Sequence, residues 1–142
     1  MIDALQAARA DFIVVGAHAL AAHGIPRATG DFDILVEPTQ ENAMRVLAAL
    51  RRFGAPIDAH RLSEADLTAP GLVYQIGLPP RRIDILTSID GVDYAAAHAG
   101  RLDVQLGGLT IPVLGRAQLI ANKRATGRPK DRLDLGLLGE TD

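Results

Sequence analysis

The chain contains no cysteine and no tryptophan, and only 4% of its residues are aromatic. Without cysteine there can be no disulfide, thiolate zinc site, iron–sulfur cluster or cysteine nucleophile. The scarcity of rings disfavours a base-stacking platform for single-stranded nucleic acid. An excess of one charge is missing too. Fifteen Lys and Arg stand against seventeen Asp and Glu, a net −2, so no global basic field marks a nucleic-acid binder. No run approaches the ~20 apolar residues of a membrane span, and the most apolar stretch, 12–25, carries His18 and His23. Met1-Ile2-Asp3 lacks the basic-then-apolar order of a secretory signal, so a cytoplasmic location without membrane attachment is expected. What is present is 142 residues, 48% hydrophobic and 23% charged, which suits one globular domain with an ordinary core.

The hydrophobic pattern alternates between strand-like and helix-like segments. Asp3 is placed to cap a helix over 3–10, and the apolar β-branched run 12–15 reads as a buried strand ended by Gly16. An alanine-rich helix over 17–23 stops at Gly24, and 25–30 is a loop with Pro and Gly at its corners. Residues 31–36 read as a second strand. Thr39 then caps a helix whose apolar face is Ala43, Val46, Leu47 and Leu50, closed by Arg51, Arg52 and Gly54. One helical turn is expected at 63–66, strands at 72–76 and 82–86 around a turn at 77–80, and a short helix at 92–99. Gly107-Gly108 between two extended runs, 102–106 and 109–113, signals a hairpin. A helix runs from Arg116 to about Ala125, Gly127-Arg128-Pro129 breaks it, and 130–138 is the last helix. The class is therefore α/β (α+β), a small mixed β-sheet with helices packed on it.

Asp31 and Asp33 lie two apart in a strand and emerge on one face, while Phe32 and Ile34 point to the other. Two carboxylates at that separation repel unless a cation joins them, and all-oxygen ligands suit Mg²⁺ or Mn²⁺ better than zinc. Asp84 is flanked by apolar residues that must face the core, so an adjacent strand can align it with the other two. The strand-to-helix turn at Gly16-Ala17 presents backbone N–H groups to a phosphate, and Arg27 and Thr29 add a cation and a hydroxyl. Three aspartates and a phosphate cradle are the parts of metal-assisted phosphoryl or nucleotidyl transfer. Of the histidines, His18 alone starts a helix beside the cradle, where a contact with substrate is one reading. His23, His60 and His98 read as ordinary, partly exposed residues, and Arg81-Arg82 as a solvated turn, with steering of an anionic acceptor as the lesser alternative.

Gly16-Ala17, thirteen residues, then Asp31-Phe32-Asp33-Ile34 resembles the signature of the polymerase-beta-type nucleotidyltransferase superfamily. The wording of 15–34 is similar to that of small bacterial nucleotidyltransferases grouped with abortive-infection and toxin–antitoxin systems. Asp84 matches the superfamily's later carboxylate, and 123–134 resembles a Lys-…-Arg-x-Lys-Asp-x-x-Asp segment of that group, so the likeness spans about 12–135. One departure is Ala17, where the pattern has Gly or Ser; a hydroxyl contact is lost and the backbone N–H is kept.

The resemblance implies a single nucleotidyltransferase-like domain over 1–142 that moves an NMP from an NTP to an acceptor hydroxyl. Asp31, Asp33 and Asp84 would hold Mg²⁺ or Mn²⁺ and carry the catalysis, with Asp84 as general base. Gly16, Ala17, Thr29, Arg27 and Lys123 would bind the nucleotide, helped by Arg128 or Lys130. Asp131 and Asp134 are expected as cap and surface residues of the last helix. The acceptor is an RNA end such as tRNA, a protein side chain or a small molecule. The length leaves no separate acceptor domain, and a homodimer sharing a cleft would compensate. The alternative is a non-catalytic module of the same fold, one component of a toxin–antitoxin pair with a cognate partner protein, to which the Ala17 departure points. A third option is a phosphate-transferring enzyme acting on a small metabolite.

Overall fold

The computed structural model describes residues 1–27, 30–78 and 80–140. Among these a six-stranded mixed sheet carries helices packed on it, as the hydrophobic pattern predicts. Helix α1 (Ile2–Ala7) leads into β1 (Phe12–Val15), which is buried along its whole length. Asp3 does not cap α1. It lies in the first turn, where its charge still suits the helix dipole. The helix also ends three residues before the expected position, because Arg9 adopts φ +58° and Ala10 N–H closes back on the Leu5 carbonyl at 2.9 Å.

Helix α2 (Gly16–Ala22) follows β1 without a loop and packs on it and on β2 (Phe32–Val36). Helix α3 (Gln40–Phe53) is capped by Thr39, whose hydroxyl accepts from Asn42 N–H at 3.2 Å. Its Ala43, Val46, Ala49 and Leu50 are buried, each larger side chain contributing about 1.5–3 kcal/mol. Asn42 does more than stand in for a capping-box Glu. Its buried amide bonds Asp11 N–H and the Asp11 and Glu37 carbonyls at 2.7–2.9 Å, tying the start of α3 to both sides of the β1–β2 pair.

The chain continues through α4 (Glu64–Thr68), closed by a Ser63–Asp66 capping box, then β3 (Val73–Ile76) and β4 (Ile83–Leu86). Helix α5 (Tyr94–Ala99) precedes the hairpin β5 (Leu102–Leu106) and β6 (Leu109–Val113), whose turn glycines both have positive φ. Helices α6 (Arg116–Thr126) and α7 (Pro129–Leu137) pack on each other, with Gly127 in left-handed conformation and Pro129 opening α7.

The strand order is β3-β4-β2-β1-β6-β5. β2 is antiparallel to β1 and parallel to β4, and its pairing with each puts Asp33 opposite Val15 and opposite Asp84. Ile13, Ile34, Leu35 and Ile85 are fully buried, so the centre of the sheet cannot slip by one residue without turning its carboxylates inward. No helix among the described residues is long and apolar enough to cross a membrane.

Candidate functional site

The ends of β1, β2 and β4 meet at a cleft of about 470 Å³. Asp31, Asp33 and Asp84 form one wall together with Gly16, Ala17 and Arg82, and Arg27, Lys123, Arg128, Lys130 and Asp134 complete it. The parallel register sets Asp33 against Asp84 directly. Burial, the Asp84 charge and its hydrogen bond, and then Asp31, push the Asp33 carboxyl up to about 6, with Arg82 relieving it only in part. Within this wall the three neighbouring carboxylates face one guanidinium, that of Arg82, while the other cations of the cleft lie on the opposite side.

Gly16 sits where β1 hands over to α2, at φ +69°, and a methyl group there would overlap the Asp33 carboxylate. Only glycine accepts both the backbone angle and the close approach. Gly16→Ala is expected to cost about 1–2 kcal/mol and lower the melting temperature by roughly 3–6 °C. A thermal melt that superimposes on the wild type would show that Asp33 moves aside freely.

Arg82 is the cleft residue whose place the sequence reading did not foresee. Instead of a solvated turn, its guanidinium lies in the cleft with its side chain 29% exposed. It donates to both oxygens of Asp84, at 3.0 and 3.2 Å, and to Asp31 Oδ2 at 3.1 Å. The signal was available: Arg82 and Asp84 are two apart in an extended segment and so share a face. The link to Asp31, fifty-one residues away, was not.

Lys123 is buried in the wall, with Nζ 3.0 Å from Asp134 and 3.4 Å from Asp131. Burial lowers its pKa, and the Asp131 charge opposes this. Asp131 caps α7 as expected, but neither it nor Asp134 is the surface residue that the sequence suggests; both carboxylates are buried. Asp131 also accepts from Thr126 Oγ1 at 2.7 Å, Arg128 Nε at 2.7 Å and Arg128 N–H at 3.0 Å. Burial pushes its carboxyl up, but these bonds and the Lys123 charge outweigh it and hold the pKa well below the usual range. Asp134 pairs with Arg27 of the loop after α2. A buried charge needs partners, and here the partners converge from α6, α7 and that loop. Lys130 and Arg128 are exposed on the same wall, and Lys130 makes no ion pair among the described residues.

His18 does not line the cleft; its ring lies 4.7 Å from that of Phe32. His23 bonds the Leu114 carbonyl at 2.8 Å, and His60 Nδ1 lies 2.7 Å from the Tyr74 hydroxyl. Thr29 lies outside the described residues.

Among the described residues no group of three or more carboxylates and imidazoles stands as a ready metal cage. Asp31, Asp33 and Asp84 are nevertheless a chemically suitable donor set for a hard divalent cation. They share one cleft and are oxygen donors only, and burial together with the Asp84 and Asp31 charges raises the pKa of Asp33. Arg82 occupies Asp31 and Asp84 in the arrangement described.

No family model matches the chain, and no curated protein is similar to it. Solved structures are similar. A crystal structure of a nucleotidyltransferase candidate from Thermotoga maritima (TM1012) superposes with a TM-score of 0.57 at 18% identity, over 96% of this chain and 81% of that one. The likeness is one of fold, and the fold is nucleotidyltransferase-like.

Proposed function

We propose that the chain is a divalent-metal-dependent nucleotidyltransferase. The observation that carries this is the meeting of Asp31, Asp33 and Asp84, from two paired strands, beside the Gly16-Ala17 turn in one cleft. A nucleotidyltransferase-like fold supports it. Asp31, Asp33 and Asp84 would hold Mg²⁺ or Mn²⁺, which supplies charge neutralisation for a triphosphate and its pyrophosphate leaving group. The chain's own residues do the rest. Backbone N–H groups at Gly16 and Ala17 receive phosphate oxygens, and the burial of Asp84 places its carboxylate to take the proton of an acceptor hydroxyl. The acceptor oxygen bonds the α-phosphorus as the bond to pyrophosphate breaks.

Lys123 is already committed to Asp131 and Asp134, and Arg128 to Asp131, so the triphosphate charge falls mainly to Lys130. Lys130→Ala is expected to raise the NTP dissociation constant about fivefold at low salt, read by calorimetry with Mg²⁺ present. The general test is the same titration with the four NTPs. Metal-dependent binding of at least one supports the reading, and no binding with any of them sinks it.

A non-catalytic module within a toxin–antitoxin pair draws support from Arg82, whose guanidinium is paired with two of the three carboxylates. Tight binding of a cognate protein with no NTP binding would favour that reading.

A further inference from the structure

We propose that Arg82 is an internal counter-ion that holds the carboxylates of the cleft together in the absence of a divalent cation, and that cation binding displaces it. The inference rests on the metal-dependent reading above and concerns what the metal must overcome. Arg82 reaches across from the residue that precedes β4 to the one that precedes β2, and its three hydrogen bonds, from Nε and Nη2, engage two of the three expected ligands at once. With the carboxylates ionised, a divalent cation competes with the guanidinium for the same oxygens and can displace it.

The side chain is suited to leave. It is partly exposed, and its two ion pairs face the cleft rather than the core. Ile83 and Ile85, its strand neighbours, point away and anchor the backbone, so release requires side-chain rotation and no change in the sheet. Once free, the planar fork remains in the cleft, where its geometry matches a phosphate as it matched Asp84. Arg82 is thus a positioning residue for the cleft carboxylates, and its displacement couples loading of the metal to exposure of a phosphate donor.

The test is calorimetric titration of the metal-free protein with Mn²⁺, without nucleotide, on wild type, Arg82→Met, Arg82→Lys and Lys130→Met. Arg82→Met should bind Mn²⁺ about tenfold more tightly than wild type, and Arg82→Lys by a smaller factor, since it keeps the charge but loses the fork. Lys130→Met removes a charge from the same cleft without touching the three aspartates, so its gain should be distinctly smaller. In parallel, the Arg82 Nε–H resonance of the wild type, assigned by its loss in Arg82→Lys, should shift and exchange faster as Mg²⁺ is added. Should Arg82→Met fail to fold by circular dichroism, Arg82→Lys and this resonance carry the comparison.

Equal Mn²⁺ affinity in wild type and Arg82→Met, or an Nε–H signal unmoved at saturating Mg²⁺, would overturn the role of Arg82 and leave the metal site standing. A gain in Lys130→Met matching that of Arg82→Met would overturn it too, because diffuse charge would then suffice. Absence of metal binding in every variant would overturn the metal-dependent reading together with the inference. Binding that appears only in Arg82→Met would support both.

Discussion

Asp33→Asn is expected to stabilise the metal-free protein at neutral pH while abolishing metal-dependent nucleotide binding. In the fold the Asp33 carboxyl titrates at about 6, against an ordinary 3.8. Between those values the folded chain keeps a proton that the unfolded chain has lost. Stability therefore falls as pH rises from about 4 to about 6, and the deficit persists above. Asn cannot ionise, so the variant escapes that loss. Asp33 is only partly buried, so solvent screening reduces the gain to on the order of 1 kcal/mol, or roughly 3 °C. Melting curves in EDTA at pH 4 and pH 8 check it: the variant should gain on the wild type only at the higher pH. Metal-dependent NTP binding should weaken at least about a hundredfold, because one anionic ligand is gone. A variant that melts lower than wild type at both pH values would make Asp33 a structural residue.

The second large effect is expected at the α6–α7 junction. Asp131→Ala removes the acceptor of Thr126, Arg128 and part of Lys123, all at a buried position. Removing one member of a buried ionic set leaves the others uncompensated, at about 3–5 kcal/mol, or roughly 10–15 °C in melting temperature. The pKa of Asp131 is depressed in the fold, so its contribution is present above the ordinary carboxylate range and is lost as pH falls below it. The gap between wild type and variant should therefore narrow in acid. Asp131→Asn, which keeps part of the hydrogen bonding, should lose less. A melt within about 2–3 °C of wild type for Asp131→Ala, the loss expected of a surface pair, would assign the network to solvent.

Much of the frame follows from short-range rules. A two-residue period sends Asp31 and Asp33 to one side, and Gly107-Gly108 marks its hairpin by the positive φ the turn demands. Thr39 and Ser63 cap the helices they precede. The helix boundary at Arg9 was illegible because left-handed backbone is rare outside glycine, and no side-chain chemistry announces it. Asn42 looked like an imperfect cap because its three other bonds reach residues whose proximity arises only when β1 and β2 pair.

The same division holds at the cleft. Local pattern is enough to mark the candidate residues there: three aspartates on strand-like segments, a glycine between strand and helix, and cations in the last two helices. How their charges are shared depends on the packing of distant segments. Parallel pairing of β2 with β4 set Asp33 against Asp84, Arg82 took Asp84 and Asp31, and α7 turned Asp131 and Asp134 inward to hold Lys123. Faces are fixed by local periodicity, whereas ion pairs depend on distances between segments that the fold alone brings within a few ångströms.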